Sequence, residues 1–85
     1  MHPPSGYAAI DDLGKVPLDS AEGIDNYKRF LDSGVPRAFA VSATRRHWAW
    51  NVGTDASEVA LRRCAERAGQ ACTLYAVDEL VVYRP

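Results

Sequence analysis

Few residues of this 85-residue chain have the types that carry chemistry: His2, His47, Cys64, Cys72 and the adjacent carboxylates Asp78 and Glu79. A cysteine with His47 and Asp78 would supply a nucleophile, a base and an orienting acid. Neither a nucleophile elbow nor a glycine-rich phosphate loop accompanies them. Side chains at adjacent strand positions point to opposite faces, so Asp78 and Glu79 suit a turn better than an acid/base pair. A zinc site needs about four ligands, and the two cysteines and two histidines are the only soft donors. The expectation is therefore no catalytic, cofactor-binding or metal-ligating residues, with a small hydrolase or thiol enzyme as a remote alternative.

The cysteines have a simpler use. They are eight apart, without the Cys-x-x-Cys spacing of a redox pair. Cys64 falls late in a helix-like segment and Cys72 at the mouth of a strand-like one. A bridge between them would clamp the two elements, worth about 2.5 kcal/mol for so short a loop. Buried free thiols are the competing reading. A disulfide implies an oxidising, exported setting.

These residues must be positioned by one small α+β domain. Residues 1–18 are rich in Pro, Gly and Asp and read as an extended arm, with Ile10, Leu13 and Val16 spaced to lie along the domain and room for one helical turn. Met1 to Gly6 is expected to be mobile. A first helix is predicted over about 20–33, capped by Asp19 with Glu22 and stopped by Gly34 and Pro36. Ile24, Tyr27 and Leu31 recur along it at helical spacing, with Phe30 beside them. Arg37–Ala43 and His47–Val52 read as a hairpin, in which Trp48, Trp50 and Val52 alternate with His47, Ala49 and Asn51. Asp55 with Glu58 opens a second helix that Gly69 ends, and Thr73–Val77 and Leu80–Tyr83 form a second hairpin. The order α-β-β-α-β-β predicts a four-stranded antiparallel sheet with two helices packed on one face, the domain occupying 19–85.

If the helices cover Phe39, Val41, Trp48 and Trp50, the other face holds Ala38, Ala40, Ser42, His47, Ala49 and Asn51. Tyr75 and Tyr83, with Val77 and Val81, are expected to join it. Such a flat, partly apolar face is either an interface or the bed of the arm. The tryptophans are either core or a ligand platform. Arg45, Arg46 and His47, with Arg37, form a cationic knuckle able to meet a carboxylate or phosphate, or simply a solvated turn. The candidate binding surface is thus Arg37, Arg45, Arg46, His47, Asn51, Tyr75 and Tyr83.

Charge narrows the partners. The formal net charge is −1, with hydrophobic residues at 47% and charged residues at 25%, which argues against a nucleic-acid binder. Residues 1–36 hold six acids against Lys15, Lys28 and Arg29, and the remainder seven arginines against five acids. No apolar run reaches the roughly 18 residues of a membrane span. The start, Met-His-Pro-Pro-Ser-Gly, lacks the basic and apolar regions of a signal peptide, so an exported form would have its leader absent from this chain.

The strings Pro36-Arg37-Ala38-Phe39-Ala40-Val41-Ser42, Trp48-Ala49-Trp50, Ala60-Leu61-Arg62-Arg63-Cys64 and Cys72-Thr73-Leu74-Tyr75-Ala76-Val77-Asp78 resemble a small domain of unknown function found in exported bacterial proteins. The resemblance spans about residues 36–83 and, more loosely, the Tyr27–Leu31 helix. It implies a periplasmic or secreted setting, the cysteines as a bridge, and no catalytic residues to carry over. The resulting expectation is a non-catalytic protein-interaction module, binding another protein or itself through its sheet. The alternative is an accessory domain for envelope glycan or peptide or an anionic ligand.

Overall fold

The computed structural model describes residues 3–84; Met1, His2 and Pro85 lie outside the described residues, and with them part of the expected mobile start and one candidate metal donor. The element order is α1 (Ala21–Asp32), β1 (Arg37–Ser42), β2 (Trp48–Val52), α2 (Ala56–Ala68), β3 (Cys72–Val77) and β4 (Leu80–Val81). The four strands form one antiparallel sheet in the order β2-β1-β3-β4. The predicted α+β class and element order hold.

The placement of the helices does not follow the expectation: they lie on opposite faces of the sheet. Successive β1 residues point to opposite sides, and Phe39 and Val41 pack with Tyr27 and Phe30 of α1. Ala38 and Ala40 pack with Ala56, Ala60 and Cys64 of α2. The physical reason is a match of sizes. The large α1 stripe meets the aromatic face, while the small α2 stripe closes tightly on the alanines, burying Ala38, Ala40 and Ala60 completely. The face expected to be open is covered.

A β-bulge between Phe39 and Ala40 corrects a second expectation. Phe39 pairs with Ala76 and Ala40 with Leu74, leaving Tyr75 as the extra residue. Tyr75 and Ala76 then both join the aromatic cluster, as does Val81, with Tyr83 packed against it, whereas Leu74 and Val77 lie with the alanines. Tyr75 and Tyr83 therefore lie on the face opposite to the one expected.

The arm covers what α1 leaves of the aromatic face. Val16 is buried there, and Tyr7, Ile10, Leu13 and Leu18 pack beside it, with a 3₁₀ turn at Leu13–Lys15. Ser5 N donates to the Val81 carbonyl at 3.0 Å. The Tyr27 hydroxyl donates to the Ile10 carbonyl, tying the arm to α1.

The helix ends differ in detail from the sequence pattern. Ser20, not Asp19, caps α1, its hydroxyl accepting from Gly23 N at 3.1 Å. Gly23 is buried, and a Cβ there would sit 3.0 Å from Leu18 Cδ1, so the residue that weakens the helix also lets the arm approach. The end of α1 is not a left-handed glycine. Ser33 (φ −83°) is the terminal residue, and its hydroxyl donates to the Phe30 carbonyl at 2.6 Å. Asp55 precedes α2 without a side-chain cap, and Gly69 ends it at φ 69°, as its position predicts.

Candidate functional site

Cys64 and Cys72 form a disulfide with Cα atoms 6.0 Å apart, joining the last turns of α2 to the start of β3. Both sulfurs are committed. Asp78 sits at the opposite end of the sheet from His47. Its side chain accepts from Arg37 N at 2.9 Å, and its own amide donates to the Arg37 carbonyl at 2.8 Å. His47 instead lies beside Ser42, whose amide donates to the His47 carbonyl at 3.0 Å. Five strand steps separate the two ends, about 17 Å at roughly 3.3 Å per residue. The nucleophile, base and acid expected as a remote alternative are not brought together.

Arg37 leaves the candidate binding surface. It is only 6% exposed. Its Nη1 lies 2.7 Å from the Phe30 carbonyl, 2.9 Å from that of Leu31 and 2.7 Å from that of Ser33. Its Nε donates to the Asp78 carbonyl at 2.9 Å. The guanidinium thus satisfies the orphan carbonyls at the end of α1, where a cation also complements the helix dipole. Expected beside Arg45, Arg46 and His47 in the cationic knuckle, it is made a structural clamp instead by its environment.

Tyr75 leaves the surface as well. It is fully buried, and its hydroxyl has no hydrogen-bond partner among the described residues. Tyr83 is half-buried, 5.1 Å from Tyr7 and 5.5 Å from Tyr75 between ring centroids. Burial first, then the neighbouring tyrosines, push the Tyr27 and Tyr75 phenols well above the ordinary 10.0.

Arg46 and His47 remain, and the structure adds a residue that sequence reasoning missed. Arg46, His47, Trp48, Arg67 and Glu22 line a depression of about 190 Å³ where the β1–β2 hairpin meets the end of α2 and the start of α1. Arg67 Nη1 donates to the Trp48 carbonyl at 3.1 Å, which holds its guanidinium over the strand. One turn earlier in the same helix, Arg63 Nη1 donates to Asn51 Oδ1 at 3.4 Å. Among the described residues the one ion pair is Lys28 with Asp25, so neither Arg46 nor Arg67 has a carboxylate within 4 Å. Arg45 is exposed at the hairpin tip at φ 64° and is not among the lining residues.

The tryptophans divide. Trp50 packs edge-on to Phe30 at 6.2 Å, and its Nε1 donates to Asn26 Oδ1 at 3.4 Å. Trp48 is half-buried and presents part of its surface to the depression. A cavity of that size admits a carboxylate or phosphate group rather than a drug-sized ligand, which fills roughly 300–1,000 Å³. A larger groove of about 360 Å³ is lined by Leu61, Leu74 and Val82, with Thr73 and Arg84 as its polar side chains.

Three comparisons, with protein-family models, with curated proteins and with solved structures, found no match to this chain. No helix among the described residues is long and apolar enough to cross a membrane.

Proposed function

We propose that this chain is a non-catalytic interaction module of an exported protein, capturing an anionic group of its partner in the Arg46–His47–Trp48–Arg67 depression. One observation carries the reading: Arg46 and Arg67, from a hairpin and a helix, line one depression beside Trp48, and among the described residues neither has a carboxylate within 4 Å, although Glu22 lines the depression too. Charge-assisted hydrogen bonds from guanidinium groups are the strong ones, and their planar fork matches the geometry of a carboxylate or phosphate. Glu22 lines the same depression and sets a limit on how much negative charge it accepts. The disulfide supports the exported setting. Covering of both sheet faces removes the face itself as the binding surface and leaves the strand edges and this depression.

The test is a titration with N-acetylglutamate and, separately, inorganic phosphate, followed by tryptophan fluorescence and calorimetry. Saturable binding of N-acetylglutamate with Kd on the order of 1 mM is expected from two such contacts. Arg46→Ala with Arg67→Ala abolishes it, while Arg62→Ala leaves it unchanged. A linear, unsaturating response in the parent protein would end the proposal.

A further inference from the structure

We infer that the outer edge of β2 is a strand-addition site for an extended acidic peptide segment, its carboxylates held under Arg63 and Arg67. This rests on the anion-binding reading above and names the partner. The direction of the backbone groups follows from two hydrogen bonds. Ser42 N donates to the His47 carbonyl at 3.0 Å and Gly53 N to the Pro36 carbonyl at 2.8 Å. Ala40 faces Ala49 and Ala38 faces Asn51 in the same register. Residues 47, 49, 51 and 53 therefore point their amides and carbonyls at β1, and Trp48, Trp50 and Val52 point theirs outward.

β2 is the outermost strand, so nothing in the sheet meets that row. Arg67 covers the Trp48 carbonyl and Asn51 Nδ2 approaches the Val52 carbonyl at 3.3 Å. The amide and carbonyl of Trp50 have no partner among the described residues, and they are the pair an incoming antiparallel strand exchanges first.

The two sides of this edge specify the occupant. Trp48 and Trp50 project toward α1, and Ala49 toward α2. Arg63 and Arg67 reach from α2 to Asn51 and to the edge carbonyl. An incoming strand thus places alternate side chains against tryptophan and against arginine, which fits apolar residues alternating with acids. A second copy fits badly. Antiparallel pairing of β2 with β2 about a two-fold axis normal to the sheet sets α2 beside α2 and brings these arginines against their own kind.

The probe is acetyl-Glu-Val-Glu-Val-Glu-amide, whose valines lie opposite Trp50 and its outward neighbour. Amide exchange of the complex should slow at Trp50 and Val52, with Ala49 and Asn51 unchanged because β1 already pairs them. Methylating the valine amides should weaken binding about tenfold, for two lost main-chain bonds. Methylating the glutamate amides, which face away, should not. Val52→Pro removes one outward donor from an exposed edge position and should weaken the peptide several-fold while N-acetylglutamate still binds.

If N-acetylglutamate binds but the valine-methylated peptide binds as well as the parent, strand addition is wrong and the anion site survives. If neither ligand binds, both readings fall. A mass that doubles with concentration, together with slowed Trp50 exchange in the absence of peptide, assigns the edge to a second copy and overturns the inference.

Discussion

The Nη1 of Arg37 lies 2.7 Å from the Phe30 carbonyl while its guanidinium carbon stands 4.7 Å from the centroid of that residue's ring. One side chain thus caps the backbone of α1 and packs on its buried face, joining hydrogen bonding to cation–π attraction. Arg37→Ala should cost about 3 kcal/mol, because several carbonyls lose their donor at once. Arg37→Lys should recover only part, since an ammonium cannot reproduce the planar fork. Urea unfolding of the two variants against the parent measures both.

The disulfide predicts a loss of a different kind. Replacing Cys64 and Cys72 together by Ala should lower stability by about 2.5 kcal/mol, and Cys64 is fully buried, so some packing loss adds to it. Native protein treated with an alkylating agent should gain no label, and two labels after reduction. Uptake by the unreduced protein would contradict the pairing and remove its support for export.

Alkaline pH should destabilise the fold. Tyr27 and Tyr75 are held neutral in the folded state above their ordinary 10.0. The unfolded chain therefore releases these protons first. Their stabilising contribution is whole below about pH 10 and is lost as pH rises toward the folded values. Each phenol adds at most about 1.4 kcal/mol of loss per pH unit in that window. Phenolate absorbance should lag behind that of an unfolded control until the protein opens.

Tyr75→Phe should raise stability by about 1 kcal/mol. It removes a buried hydroxyl without a partner and keeps the ring between Tyr7, Tyr27 and Tyr83. A loss of stability instead would indicate a bound water at the hydroxyl. Tyr27→Phe has the opposite sign, at about 1.5 kcal/mol lost, since its hydroxyl donates to Ile10. Proteolysis near Asp11 and Asp12 should accelerate in that variant alone.

The strand and helix runs were legible in the sequence because their periods are local. The relation between faces was not. Ala38, Ala40 and Ala49 read as an open surface when β1 and β2 are considered alone; set beside Ala56, Ala60 and Cys64 they read as the bed of a close-packed helix. Matching the size of each helical stripe to each strand face was the available signal. Tyr75 was misplaced because a single bulge residue inverts the alternation of a strand, and no residue type announces it. Arg67 carried no signal of its role, since it is exposed on its helix and its partner Trp48 is 19 residues away in sequence. Arg37 looked exposed for a similar reason: its acceptors are the carbonyls of a helix end, which carry no side-chain signature.

The link between Cys64 and Cys72 encloses Gly69, Gln70 and Ala71, all exposed in the loop after α2. A protease in an extracellular setting would find its opening there, yet a single cut in this loop leaves both halves covalently attached. The nicked molecule would gain the mass of one water and still run as one band until a reductant is added. A chain of this design can be clipped in its loop and keep its sheet, both helices and its cationic depression assembled.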